Sequence, residues 1–544
     1  MRFKTDDSNT VFAVSNNRFY RSTNGGNSFN MITNGLPTNA TRMVMDVTAD
    51  DSSYIYVLCY NSQSDINNGF MGIYRSTDGG TSFQLINNTT NVLESSQGWY
   101  DLALCVSPQN KNLIFTGCLN VWKSENGGTD FTKVNEWYDP FSTTYTHADI
   151  HYLGYKGNRL FCGSDGGVYS SDNNGLSFTD KTATAQIGQF YKISVSPNTT
   201  SKMMGGLQDN GGYGFSNNSW KNWFGADGMA TAISPLDDDI FVGFIQYGLN
   251  LYASYDGGLS NTGFVGSPNG AYGNWVTPLE VNQNDELFSG FNRLYRLNQN
   301  TFTWEAQSTN DFGQNISHIS IHPENNQIFY VAVNDILYKS TNGGIDFTFA
   351  YQFPNNITSI ESHSTDINKV YVTINGWTDN RVFQSSNGGL SFEDISNGLP
   401  FISVAVIKHH KNQPDNALYV GTAHGVYYRD DITNSWIPFD TNLPNVDITD
   451  LDINLIDNKI TAATFGRGIW LSDLPVPLSN STYNQTVISI YPNPTKDFIN
   501  IHSPVEQPQT VKLFDISGKL ILDQPFDNTS KKLICLKYLW VSIF

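Results

Sequence analysis

An eight-residue phrase recurs along this chain and limits what the chain can fold into. One copy is Ser76-Thr77-Asp78-Gly79-Gly80-Thr81-Ser82-Phe83, entered from Ile73-Tyr74-Arg75. Related copies start at Ser22, Ser124, Ser171, Ser340 and Ser385, and each ends on Phe. The apolar run is the end of a strand. The Asp or Asn at the third position folds its side chain onto nearby backbone N–H groups, and glycine supplies positive φ for a tight reversal. The Phe opens the returning strand and packs inward, so each copy is the tip of a β-hairpin.

The spacing sets the size of the repeating unit. Starts at 22, 76, 124 and 171 lie 47–54 residues apart, and those at 340 and 385 lie 45 apart. Roughly 40–50 residues is one four-stranded propeller blade. A degenerate copy at Ser254-Tyr255-Asp256-Gly257-Gly258 lacks its aromatic. The gaps on either side of it are about double, so each is expected to hold a blade with an eroded turn, at 214–220 and 294–302. Another eroded hairpin is expected at 426–436, and the array closes at 460–471. The expectation is an all-β fold over 1–473, with about ten blade equivalents in one large ring or in parts of two rings. No amphipathic 3.6-residue period is visible, so almost no helix is expected. Strand-like segments precede the first copy, so the chain is expected to begin inside a blade and to lack the N-terminus of a longer secreted parent.

The repeated phrase resembles the Asp-box, or BNR repeat, of sialidases, sortilin-type receptors and xyloglucan-specific endoglucanases. That resemblance implies a β-propeller in which the box is structural and lies away from the ligand face. A sialidase is disfavoured, because no Arg-Ile-Pro motif is present and arginines are few. Arg467 stands alone as a candidate and reads as a closing-strand salt bridge.

Composition narrows the partners. Charged residues are 15% and aromatics 13%, which suits many short strands joined by polar turns. The net charge of −19 argues against nucleic acid and against an anionic membrane surface. No apolar run reaches the length of a membrane span. Five cysteines are scattered, without metal-ligand spacing; Cys59, Cys105, Cys118 and Cys162 read as core. Asp237-Asp238-Asp239 can be read as a Ca²⁺ site or, more simply, as a solvated turn; no other cofactor is expected.

Leu474 to Thr486 is a linker rich in Pro, Ser and Asn. Beyond it, Tyr491-Pro492-Asn493-Pro494 and the hairpin Asp515-Ile516-Ser517-Gly518-Lys519 indicate a small β-sandwich over 487–544. These two motifs resemble the type IX secretion C-terminal sorting domain of Bacteroidetes. That resemblance covers about 487–526 and implies the secretion machinery as partner and a secreted or cell-surface location. The last segment, 531–544, departs from the family, which ends in a strand with a Gly-x-Tyr core.

Polar residues that a plain blade does not need are concentrated between 147 and 227. In Thr146-His147-Ala148-Asp149-Ile150-His151-Tyr152, a strand would place His147, Asp149 and His151 on one face. Ser164-Asp165-Gly166-Gly167, Gln208-Asp209-Asn210-Gly211 and Asp227-Gly228 follow in adjacent blades. His and Asp can ligate a metal, and carboxylates can serve as acid or base, but no metal set is assigned. This order of motifs resembles a family of secreted bacterial Asp-box proteins often called glycosyl-hydrolase-like. The primary reading is a binding module for an extracellular polysaccharide or protein, with His147, His151, Asp165, Gln208, Asn210 and Asp227 as ligand-binding residues. The alternative is a glycoside hydrolase of β-glucan or xyloglucan type, using Asp149 and Asp209. Trp99, Trp137, Trp220, Trp223, Trp275 and Trp377 are available to stack on sugars, or to fill blade cores.

Overall fold

The computed structural model describes residues 1–376, 378–411, 413, 415–475 and, further on, 489–491, 498–502, 509–514, 519–526 and 530–534. The described residues divide into two compact units, 1–474 and 475–544.

The repeated phrase forms the same turn at all seven places, including the copy at Ser254. The first Ser donates from Oγ to the Oδ1 of the third residue, as Ser76 does to Asp78 (2.7 Å). It also accepts the N–H of the fifth residue, a glycine, at 2.9–3.1 Å. The Oδ1 of the third residue accepts the N–H of the seventh at 2.9–3.0 Å. Gly80 needs its glycine: its φ is +79°, and a Cβ there would press on Phe12 and Ile55 at 3.0–3.1 Å. Phe83, Phe131 and Phe347 are buried as expected, whereas Phe29 is exposed.

Ten four-stranded antiparallel sheets and one of three strands follow in chain order, each a meander of consecutive strands. The fold is propeller-like. The sheets span 2–32, 42–87, 103–133, 150–180, 190–224, 228–266, 279–306, 318–352, 357–394, 404–438 and 448–473. The three eroded hairpins expected from the sequence join the third and fourth strands of the fifth, seventh and tenth sheets. Helix is confined, among the described residues, to four short 3₁₀ turns.

Several second strands are sandwiched between neighbouring sheets and are apolar along most of their length. Ile55–Tyr60, Phe329–Val333, Val370–Ile374 and Leu418–Thr422 are buried at every position. The core is therefore a series of inter-sheet layers. Phe12 and Phe19 pack on Met43, Ile55 and Val57, and Tyr371 and Val382 pack on Val404, Leu418 and Val420. Each such buried side chain contributes about 1.5–3 kcal/mol.

The innermost strands of the fifth to eleventh sheets lie side by side, and the last, Ile448–Asn454, returns to the first, Phe190–Val195. Side-chain carboxylates seal that closure. Asp450 accepts the Ile193 N–H (3.1 Å) and Asp452 the Val195 N–H (2.7 Å). Thr449 Oγ1 donates to the Phe190 carbonyl (2.7 Å), and Gln189 bridges Phe465. The first four sheets form a separate row through their own innermost strands.

In the second unit, 489–491, 498–502 and 530–534 form one sheet, and 509–514 with 520–526 another. Ile499 and Ile501 are buried, with Val511 and Leu522 packed against them. Asn493, Asp515 to Gly518 and Cys535 lie outside the described residues, as do Trp377 and most of the linker.

Candidate functional site

Antiparallel order places two kinds of segment at one end of every sheet: the entry to the first strand and the turn between the second and third. The repeated Ser–Phe turns, between third and fourth strands, occupy the opposite end. Asp101, Asp149 and Asp227 stand just before first strands, whereas Asp165 and Asp209 occupy second-to-third turns. All five therefore share one end, where the fourth sheet meets the fifth.

The expected strand over 147–151 is not formed. Strand Ile150–Lys156 starts later, and Asp149 sits just before it in the left-handed region at φ +61°. Alternation along a strand thus does not bring His147, Asp149 and His151 together; a sharp corner does. Asp can occupy such a corner because its short side chain bonds locally. Asp209 (φ +58°) and Ala226 (φ +68°) make comparable corners. The glycine-rich segment 205–212, too polar by sequence for a plain strand, belongs to two ordinary strands, Met203–Leu207 and Gly211–Ser216, around a three-residue turn. Its glycines are explained by close sheet packing: a Cβ on Gly206 would lie 2.1 Å from the Met229 carbonyl.

Carboxylate oxygens of Asp149, Asp165 and Asp209 lie within 4.8 Å of one another, close enough to share one cation. This is the one such group among the described residues. His151 Nε2 meets Asp165 Oδ1 at 2.7 Å, and Tyr100 donates to Asp165 Oδ2 (2.9 Å). Gln97 donates to Asp149 Oδ1 (3.0 Å). His147 Nε2 lies 3.0 Å from the Asp209 carbonyl, and Asn210 Nδ2 donates to the Asp165 carbonyl (3.2 Å). Asp227 Oδ1 accepts the Asp209 N–H (2.8 Å), and Gln208 Oε1 accepts the Tyr191 hydroxyl (2.9 Å). All eight residues singled out in the sequence therefore meet at this junction. Gln97, Tyr100, Asp101 and Tyr191 join them without any local signal, because their partners lie far away along the chain.

Crowding of like charges splits the acidities. Burial and then the Asp227 charge push Asp209 up to about 7. Burial, reinforced by Asp149, raises Asp101 to about 7, and Asp149 itself is raised by burial and Asp165. Burial also opposes ionisation of Asp165, but hydrogen bonds from His151 and Tyr100 outweigh it and leave that carboxyl below its usual range. The same bond from Asp165 raises His151. One carboxyl thus holds its proton near neutrality beside one that stays ionised, the arrangement that acid–base chemistry uses.

Exposed aromatics extend the cluster on both sides. Trp99 packs on Tyr100 (5.6 Å between centroids), and Tyr100 meets the His151 ring edge-on (4.7 Å). On the other side Tyr191 meets Trp275 (6.3 Å), Trp275 meets Tyr247 (5.1 Å), and Tyr247 meets Tyr272 (5.9 Å). Trp99 and Tyr272 are about two-thirds exposed, at 65% and 66%. The other tryptophans divide differently: Trp223 is core, Trp220 packs on Phe190 and Phe215, and Trp137 pairs with Tyr138.

Asp238 accepts hydrogen bonds from Ser196 and Asn198, Asp239 pairs with Lys202, and Asp237 accepts the Asp239 N–H. The salt bridge expected of Arg467 is not formed among the described residues. Its residue is exposed, and only its backbone is engaged, with Thr464 and Trp470. Cys59, Cys105, Cys118 and Cys162 are buried and free.

No curated protein matches the chain. Among solved structures it is similar to PorZ, a surface component of the type-IX secretion system of Porphyromonas gingivalis, at 14% identity and TM-score 0.49, covering 97% of this chain and 76% of that one. It is similar also to the GH74 enzyme of Niastella koreensis, at 15% identity and TM-score 0.28, covering 86% and 96%. The GH74 xyloglucanase from Xanthomonas campestris matches at 13% and 0.26, covering 87% and 97%. No helix among the described residues is long and apolar enough to cross a membrane. Residues 489–538 match the family described as a secretion system C-terminal sorting domain, which implies type IX export to the cell surface or beyond.

Proposed function

We propose that the chain is an exported binding protein that takes an extracellular glycan or protein along the row running from Trp99 to Tyr272. One observation carries this reading: aromatic contacts run outward on both sides of the Asp149–Asp165–Asp209 cluster, through Tyr100 to exposed Trp99 and from Tyr191, bonded to Gln208, to exposed Tyr272. Aromatic faces stack on sugar rings, and carboxylates accept hydrogen bonds from hydroxyls, so a glycan suits the row better than an apolar ligand. Closure of the fifth to eleventh sheets supports a seven-bladed Asp-box ring, with the first four sheets as blades of a second. Glycan- and protein-array binding by the full chain tests the reading. Trp99→Ala and Trp275→Ala are each expected to weaken the retained ligand tenfold or more; binding that ignores both substitutions rules out the row.

The second reading is a glycoside hydrolase of β-glucan or xyloglucan type, with Asp149 and Asp209 at its centre. The high pKa of Asp209 beside ionised Asp165 favours it. One oxygen of each lies within 4.8 Å of the other, close enough for the paired carboxyls of a retaining enzyme, which stand roughly 5–5.5 Å apart. A panel of xyloglucan and β-glucans, repeated with Asp149→Ala and Asp209→Ala, decides it. Hydrolysis lost in both variants supports the enzyme, and a panel without turnover rejects it.

A further inference from the structure

The innermost strands of the seven closed sheets surround a channel of about 930 Å³, wide enough for a small organic molecule. It is separate from the cluster described above but shares Trp275 with the aromatic row, at its mouth. Glu280, Asp450, Asp452, Lys192 and Lys408 line it, and Glu361 lies near enough to act on Glu280 and Lys408.

Three of the four carboxylates have structural work. Asp450 and Asp452 hold the N–H groups of Ile193 and Val195, and Glu361 accepts the His409 N–H (3.1 Å). The lysines lie beside these same acids, Lys192 at 3.5 Å from Asp450 and Lys408 at 4.0 Å from Glu361. Glu280 stands apart. It lies mid-strand in Leu279–Val281, whose flanking Leu279 is buried, so alternation turns Glu280 toward the channel. Among the described residues its carboxylate has no hydrogen-bond or ion-pair partner.

We infer that the channel is a second binding site, in which Glu280 takes the primary ammonium group of a small organic ligand entering past Trp275. The lining favours a cation, since three acids stand there against two lysines; burial raises Glu280 to about 7, and an ammonium beside it would draw the carboxyl back to its ionised form. Trp275 lines the channel, and an indole ring there suits an ammonium and not an anion. The other neighbour able to titrate, His318, is held neutral by burial and does not compete as a cation.

Calorimetric titration of the full chain with Nα-acetyl-lysine methylamide tests the inference. Its uncharged norleucine counterpart and calcium chloride serve as the other probes. Saturable binding of the lysine probe is expected, with at least tenfold weaker binding of the norleucine probe to the unmodified protein. Glu280→Gln is expected to weaken the lysine probe tenfold or more without lowering the melting temperature, and to leave any ligand of the Trp99–Tyr272 row unaffected. Equal binding of the two organic probes overturns the inference, as does an unchanged affinity in Glu280→Gln. Calcium bound in place of the ammonium, and lost with Glu280→Gln, likewise overturns it.

Discussion

Asp101 shows how the junction stores unfavourable charge. It is fully buried, Cys118 Sγ lies 3.4 Å from its Oδ1, and its Oδ2 has no protein partner. Its pKa, raised to about 7, exceeds the unfolded value near 3.9, so the folded chain holds the extra proton between those limits. The stability this contributes is fully present below about pH 4 and is lost as pH rises through about 7. Asp101→Asn keeps the shape and removes the charge. It is expected to raise the melting temperature at pH 8 by several degrees and to change it little at pH 4; equal shifts at both would contradict the assignment. His151 offers a second readout. Its raised pKa rests on Asp165, so Asp165→Asn should bring the His151 titration down, followed through its ring protons by NMR. The Asp–Gly and Gln–Asp–Asn–Gly segments were legible as polar turns between apolar runs. Gln97, Tyr100 and Asp101 were not, because Gln97 meets Asp149 and Tyr100 meets Asp165 only through folding.

At the level of elements, the Ser–Phe turn is a closed hydrogen-bond unit that does not depend on its aromatic. The copy at Ser254 keeps every bond although Asn261 stands where Phe is found elsewhere. Ser76→Ala and Ser254→Ala each leave a buried glycine N–H without its acceptor. Both are expected to cost about 1–3 kcal/mol in urea unfolding. A silent Ser254→Ala with a costly Ser76→Ala would show that the Phe, and not the hydroxyl, holds the turn. The strand misplaced at 147–151 has an equally local cause. Period-two alternation is visible in sequence, but a left-handed corner at an Asp interrupts it without any change of hydrophobicity.

For the whole molecule, the decisive feature is closure between the fifth and eleventh sheets, whose innermost strands are more than 250 residues apart in the chain. Removing both caps with Asp450→Ala/Asp452→Ala leaves the N–H groups of Ile193 and Val195 without acceptors. Hydrogen exchange is expected to accelerate in strands Phe190–Val195 and Ile448–Asn454 while strands of the first four sheets keep their protection. Uniform loss across all eleven sheets would mean that the ring and the row unfold as one unit. The buried second strands were readable in advance, since sheets covered on both faces need unbroken apolar runs. The grouping of sheets was not readable, because each blade carries much the same pattern whichever neighbours it has.

By itself the sequence determined the repeating unit: its length, its hairpin turn, its strand order and the polar segments that a blade does not need. Those are local properties, written in the spacing of Ser, Asp, Gly and Phe and in apolar runs of a few residues. Tertiary structure alone decided that seven sheets close on themselves while four stand in a row, and that Asp149, Asp165 and Asp209 meet within 4.8 Å where the two groups join. The reason is that both depend on contacts between distant segments, where backbone corners and close glycine packing set the geometry. The phrase Ser76 to Phe83 therefore marks one end of a four-stranded sheet, and the opposite end of the sheets carries the candidate site.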